Sequence, residues 1–235
     1  MKNNEILVKD LGVLSYDKSW EHQKRIFDNI ISQKINNRTL KKKIKTENHL
    51  LIVEHKPIYT IGKSGEISNL LLDDQELKLK GIDFREINRG GDITFHGLGQ
   101  IVGYPILDLD NFFTDIGLYL RTLEEVIIST IGFFGIKGFR IDGETGVWVK
   151  DESNSLKKIC AFGIKASRWV TMHGFALNVN TDLTYFDNIV PCGISDKGVT
   201  SLQEILNQKI APKTVKEKLY ENIARLFNAE LSMTN

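Results

Sequence analysis

The sequence predicts an α+β fold: one domain over residues 1–235, with a mixed, largely antiparallel sheet flanked by helices. Three observations lead there. Amphipathic helical patterns stand towards both ends of the chain. Between them run short apolar segments broken by glycine and proline, without the regular strand–helix alternation of a parallel sheet. No repeat, linker or low-complexity tract divides the 235 residues, whose 41% hydrophobic content suffices for one substantial core.

Glu5 to Leu14 reads as a first strand. Ser15 is placed to cap a helix, and Tyr16, Trp20, Gln23, Phe27 and Ile30 then recur at helical spacing as its buried face. Gln23 within that stripe reads as a satisfied polar group at the rim of the core. Asn36 to Asn48 is polar and basic and reads as a solvated loop; its lysines at 41, 42, 43 and 45 are also a candidate docking patch for an acidic partner. Leu50–Glu54 and Ile58–Gly62 are strands on either side of Pro57, which cannot donate to a ladder. Leu70–Lys80 is a weak helix and Phe84–Ile87 a strand. Ile101–Leu107 is another strand, placed by Pro105 near a sheet edge or a bulge. Asp115–Ile131 is a helix with Ile116, Leu120, Leu123, Ile127 and Ile131 on one face. Strands follow at Lys137–Ile141, Thr145–Val149, Lys158–Lys165 and Thr171–Asn180, with a hairpin tip at Asp151–Leu156 and a helical turn at Thr184–Ile189. Ser201 and Glu204 fit a capping box. Pro212 suits the first turn of a last helix, whose buried face is Val215, Leu219, Ile223 and Leu226.

Composition excludes several functions. A formal charge of +1 gives no support to a nucleic-acid binder. No run reaches the ~18 apolar residues of a membrane span, and Met1 to Asp10 lacks the apolar core of a signal peptide. Cys160 and Cys192, the two cysteines, do not make a disulfide framework. Neither metal-ligand spacing nor a nucleotide-binding loop is present. The expectation is a cytoplasmic enzyme with free thiols, no cofactor and no metal.

The stretch from Arg89 to Tyr104 stands apart, with five glycines, an arginine, an aspartate and a histidine running into an apolar strand. Glycine at that density costs conformational entropy, so it implies positive φ or a close approach of backbone to ligand. Cys192 lies between Pro191 and Gly193, which suits a thiol turned towards a cleft; Cys160 lies mid-strand and suits an inert core position. A nucleophilic thiol needs a nearby cation. Lys158, Lys165, Arg168, His96 and His173 are all candidates, and the residues alone do not rank them.

Three blocks in register identify the chain as resembling the lipoyl(octanoyl) transferase family over roughly residues 5 to 230. The first runs from Arg89 to Gln100. The second is Lys158 to Gly163, followed by His173 to Asn178. The third is Ile189 to Ile194, followed by Val199 to Leu202. The resemblance implies the catalytic fold shared by lipoate and biotin protein ligases. It implies an acyl-accepting Cys192 and a Lys158 that lowers the thiol's pKa. It also implies substrate contacts from Arg89, Gly90, Gly91, Asp92, Ile93, Thr94, Phe95 and His96, from Ala161, Phe162 and Gly163, and from Gly174, Phe175 and Ala176, with His173 secondary. The implied donor is octanoyl-acyl carrier protein. The implied acceptors are lipoyl domains of 2-oxoacid dehydrogenase E2 subunits and the glycine cleavage H protein.

A thioester donor is already activated, which fits a chain without an ATP motif. Cys192 would attack as thiolate, favoured by the Lys158 ammonium, since a cation within ~4–6 Å moves a pKa by ~1–3 units. Lys158 is then a candidate base for the acceptor amine. Amides near Gly91 or Gly163 are candidates for the oxyanion site, and Phe95, Phe162 and Phe175 for the apolar slot. The competing readings are an ATP-dependent lipoate ligase of the same fold, a thioesterase using the same cysteine, and a non-catalytic acyl- or carrier-binding protein.

Overall fold

The computed structural model describes residues 2–41, 44–190 and 198–234. Among these, twelve strands form two sheets, and five α-helices accompany them. The strands are β1 (Glu5–Leu14), β2 (His49–His55), β3 (Ile58–Ile61), β4 (Asp83–Glu86), β5 (Thr94–His96), β6 (Gln100–Ile106), β7 (Phe139–Ile141), β8 (Glu144–Lys150), β9 (Leu156–Ser167), β10 (Val170–Asn178), β11 (Gly198–Val199) and β12 (Glu230–Met233). The helices are α1 (Tyr16–Thr39), α2 (Asp74–Lys80), α3 (Ile116–Gly132), α4 (Leu202–Leu206) and α5 (Pro212–Phe227). The large sheet runs β12-β1-β2-β6-β10-β9-β8-β7, with β11 beside β9; β4-β3-β5 form a small second sheet. Pairing is antiparallel from β2 through to β7 and parallel at β12-β1-β2 and β11-β9. This is the α+β class and the mixed, largely antiparallel sheet that the sequence predicts.

Two cores form because central strands are apolar on both faces, and side chains alternate along each strand. Leu50 and Ile52 of β2, Ile101 of β6 and Phe175 and Leu177 of β10 face one core, which α3 and α5 cover with Tyr119, Leu123, Ile127, Val215, Leu219, Ile223 and Phe227. Leu51, Val53, Val102, Tyr104, Ile106 and Met172 face the other, which α1 covers with Phe27 and Ile30. The small sheet has its own core around Tyr59, Ile61, Phe95 and Phe186.

Several expectations are corrected. Helix α1 continues to Thr39, so the basic segment begins later than Asn36, and Lys42 and Lys43 lie outside the described residues. Ser15 precedes α1 in extended conformation but makes no side-chain capping bond. Ser201 does cap α4, accepting from the Glu204 N–H at 3.1 Å, while the Glu204 carboxylate accepts from the Thr200 hydroxyl instead of closing a capping box. Gln23 is fully buried, not at a rim, and its Oε1 accepts the His173 N–H at 3.1 Å. Pro105 is not at an edge, because β6 lies between β2 and β10. The sheet absorbs it by opening the β6–β10 ladder beyond Phe175, where His173 has φ 62° and the Thr171 hydroxyl donates to the Pro105 carbonyl at 2.9 Å. Strand β12, after the left-handed Asn228, has no counterpart in the sequence reading.

Candidate active site

A cavity of about 310 Å³ opens where β6, β9 and β10 meet the glycine stretch, within the size range of small-molecule sites. Its apolar wall includes Phe162, Phe175, Ala161, Ala176, Val102 and Phe186; Arg89, Asp92, Thr94, His96, His173 and Lys158 add the polar groups. The first two sequence blocks therefore converge on one hollow, and of the described residues of the third, Val199 lines it. Cys192 lies outside the described residues, but the chain on both sides of it is held beside this hollow. Upstream, the Val190 N–H donates to the Asn69 carbonyl at 2.8 Å. Downstream, Val199 of β11 lines the cavity and pairs with Lys158 of β9.

Arg89 is buried, 7% exposed, which an ion tolerates only with good partners. Its Nη2 donates to the Thr60 carbonyl at 2.8 Å and the Thr60 hydroxyl at 3.0 Å, and its Nη1 to the Gly90 carbonyl at 3.0 Å. Glycines make the room. A Cβ on Gly163 would come within 2.7 Å of Arg89 Cδ, and one on Gly62 within 2.9 Å of Arg89 Nη1. Gly91 turns the chain at φ +84°. Gly90 differs: its N–H is engaged by Ile164 at 2.9 Å, a Cβ there would meet nothing closer than 3.4 Å, and it does not line the cavity.

Other members of the stretch divide by orientation. Phe95 does not reach the cavity, which corrects its place in the apolar slot. As the middle residue of β5 its ring turns into the small-sheet core, stacked on Tyr185 at 4.4 Å. Asp92 borders the cavity, yet its carboxylate accepts from the Ile93 N–H at 2.6 Å and from Asn69 Nδ2 at 2.9 Å. Lys158 stands at the far side, its Nζ 4.5 Å from the centre of the Trp148 ring. Cys160, two residues on, is fully buried, and burial pushes its thiol pKa well above the ordinary value.

Beneath the cavity lie three histidines, and all three are neutral. Burial is the largest cause in each case: it lowers His96 and His173 to about 3 and His55 to about 4, with the Arg89 charge adding to the effect at His96 and His173. His55 Nδ1 faces the Leu14 carbonyl at 2.9 Å and must donate, so its Nε2 accepts from the Tyr104 hydroxyl at 2.8 Å. Burial also raises Tyr104 and Tyr16 well above the ordinary tyrosine range. The sequence reading gave no role to Tyr16, Thr60, Gln100 or Asn178, although each contacts or borders this site. Gln100 and Asn178 sit inside the quoted blocks, and that position is the signal that was available.

These features define a small, largely apolar hollow lined by a buried cation and a lysine. The chain belongs to the lipoyl protein ligase A/B catalytic domain family, whose match covers residues 15–224. It is 56% identical over 230 residues to an octanoyltransferase of Christiangramia forsetii, covering 97% of this chain and 98% of that one. To an octanoyltransferase of Flavobacterium johnsoniae it is 54% identical over 230 residues, covering 97% and 99%. The fold is shared with a bipartite lipoate protein ligase of Thermoplasma acidophilum, at a TM-score of 0.71 and 15% identity over 100% of this chain and 88% of that one. A lipoate-protein ligase A solved with ATP gives 0.67 and 16%, over 100% and 90%. Among the described residues no helix is long and apolar enough to cross a membrane.

Proposed function

We propose that this chain is an octanoyltransferase of protein lipoylation, moving an octanoyl group to a lysine amine of a lipoyl domain. The observation that carries the reading is the convergence of Arg89, the Phe162–Phe175 wall and Lys158 on one 310 Å³ apolar hollow, in a chain 56% identical to an octanoyltransferase.

The finer reading concerns donor and intermediate. The donor is an octanoyl thioester on acyl carrier protein, and the eight-carbon tail lies against Phe162 and Phe175, each buried methylene contributing about 0.8 kcal/mol. The thiolate of Cys192 attacks the carbonyl; the new carbon–sulfur bond forms, the bond to the carrier's sulfur breaks, and the carrier leaves as thiol after gaining a proton. The acceptor amine then attacks the acyl-enzyme, an amide forms, and the Cys192 sulfur departs as thiolate. Lys158 as ammonium favours the thiolate in the first step and gives its proton to the departing carrier sulfur, and the neutral amine left behind takes the acceptor's proton in the second. His96 is a poor candidate for that base. It is buried, neutral to about pH 3, and hydrogen-bonded at both ring nitrogens. Its part is to hold Arg89 and the pocket wall.

Intact mass after incubation with octanoyl-acyl carrier protein tests this directly. One octanoyl group on Cys192, removed by hydroxylamine and transferred to a lipoyl domain without ATP, is the expected result. A requirement for ATP with no adduct would favour a ligase. Free octanoate without acceptor modification would favour a thioesterase, and label on Cys160 would overturn the assignment of the nucleophile.

A further inference from the structure

One chain of hydrogen bonds crosses the floor of the site, and its direction is fixed at every link. Arg89 Nη2 donates to the Thr60 hydroxyl at 3.0 Å, and that hydroxyl faces His96 Nε2 at 3.4 Å. His96 Nδ1 lies 2.8 Å from Gln100 Oε1. Gln100 Nε2 donates to Asn178 Oδ1 at 2.9 Å, and Asn178 Nδ2 donates to the Thr200 carbonyl at 3.0 Å. The Thr200 N–H donates in turn to the Lys158 carbonyl at 3.1 Å.

The orientations follow from two carbonyls that can only accept. Gln100 Nε2 also faces the Phe95 carbonyl at 3.1 Å, so the amide group there is the donor and Oε1 is left to accept from His96. His96 therefore carries its proton on Nδ1, and its bare Nε2 accepts from Thr60. The Thr200 carbonyl likewise fixes the amide of Asn178. Each member from Arg89 to Thr200 is at most 7% exposed, so no solvent competes with the side-chain links. Buried chains of this kind polarise one another and are worth more than their separate pairs.

We infer that Gln100 and Asn178 are positioning residues of the transfer reaction, linking the Arg89 side of the pocket to the backbone that carries Lys158. They touch no reacting atom. The relay ends where β11 pairs with β9, so it fixes the register of Val199 against Lys158, at the point where the chain returns from residues 191–197. The inference rests on the proposed function for its use, but the geometry of Lys158 can be read without any donor.

The test uses the full-length protein with Asn178→Leu and Gln100→Met, near-isosteric changes that delete the links, and Asn178→Ser as a milder second variant should either fail to fold. Two readouts are taken on variants whose circular dichroism matches the wild type. The first is the single-turnover rate of Cys192 octanoylation against donor concentration. The second is the pH midpoint of Cys192 alkylation by iodoacetamide, which needs no donor. The expected result is a rate constant lowered 10- to 100-fold with the half-saturating donor concentration changed less than 2-fold. The alkylation midpoint should rise towards that of Lys158→Ala, and adding Lys158→Ala to Asn178→Leu should give no further rise. Wild-type rates and an unmoved midpoint in the folded variants would overturn the inference. So would a loss confined to donor saturation. A wild type that takes no octanoyl group, with the midpoint still shifted in the variants, would overturn the transfer reading and leave the relay standing.

Discussion

Replacing Gly163 with alanine is the sharpest probe of how the buried guanidinium is seated. The new Cβ would lie 2.7 Å from Arg89 Cδ and 2.8 Å from the Gly90 carbonyl oxygen. The backbone cannot yield by itself, because the Gly90 N–H is bonded to Ile164 on the same strand, at 2.9 Å. Arg89 can move only by giving up bonds to Thr60 or Gly90, each worth about 1.5–3 kcal/mol for a charged donor. Overpacking alone costs about 1–3 kcal/mol. One lost bond with modest overpacking gives roughly 3 kcal/mol, and at 2–4 °C per kcal/mol for a chain of this size Tm should fall by about 6–12 °C. Gly132→Ala is the control: nothing lies within 4 Å of its Cβ, and at a helix end alanine should cost nothing or stabilise by up to ~1 kcal/mol. Calorimetry and single-turnover octanoylation on both variants decide the matter, the second expected to fall at least ~10-fold in Gly163→Ala from loss of the Arg89 seat. Wild-type Tm with wild-type acylation in Gly163→Ala would refute the seat.

Three further outcomes are expected. The buried histidines, lowered from 6.5 to about 3, 3 and 4, bind fewer protons folded than unfolded, so stability is full above pH 6.5 and is lost as pH falls towards 3. At pH 5 each contributes a loss of about 2 kcal/mol, together about 6, a large share of a typical 5–15 kcal/mol. Urea midpoints should fall steeply from pH 6.5 to 5, and a flat profile would refute the neutral cluster. Iodoacetamide should label Cys160 only after denaturant is added, because its thiol is fully buried and its pKa raised; rapid native labelling at Cys160 would contradict that. Glu124 is fully buried and accepts from Arg121 at 2.8 Å, Arg140 at 3.1 Å and the Gly146 N–H at 3.0 Å. Its change to leucine should destabilise by about 3 kcal/mol in urea unfolding, and a neutral effect would show the group to be dispensable.

The helices were legible because their apolar residues recur at a period that only a helix aligns: Val215, Leu219 and Ile223 appear in the structure as in the sequence. The strands were legible as runs of β-branched and aromatic residues, but their neighbours were not, since register is settled by partners far away in the chain. Pro105 shows the limit. A proline in a strand suggests an edge or a bulge, and here a central strand tolerates it by opening the ladder to β10, where His173 takes a left-handed conformation and Thr171 supplies a bond to the proline's carbonyl. The short β12 escaped notice because its four residues have no period to read and gain their place from pairing with β1. In the site, glycine density pointed to the pocket wall. Phe95 was misassigned because one position along a strand reverses the face, and that parity is fixed only once β5 pairs with β3. Thr60 carries no signal in the sequence, and Gln100 and Asn178 carry only their place inside the matching blocks, since uncharged polar side chains announce themselves only when their partners are known.

The glycine stretch also governs residues it never touches. Its Asp92 accepts from Asn69 Nδ2 at 2.9 Å, and the Asn69 carbonyl holds the Val190 N–H at 2.8 Å. Its Gln100 holds Asn178, which holds Thr200. The chain is thus fastened on both sides of residues 191–197 by two members of one stretch, eight positions apart in sequence, Asp92 in the turn before β5 and Gln100 at the start of β6. Gly99 makes the second fastening possible. At φ +80° it turns the chain so that Asn180 packs on it, and a Cβ there would come within 2.4 Å of the Asn180 carbonyl oxygen. Its own carbonyl accepts the Asn180 N–H at 2.8 Å, which sets Gln100 opposite Asn178 in the β6–β10 register. A side chain at 99 would therefore act on Thr200 and Lys158 through the sheet, without entering the cavity. The glycines divide accordingly: Gly62, Gly91 and Gly163 leave space for Arg89, while Gly99 holds the two strands in the register that Gln100 needs.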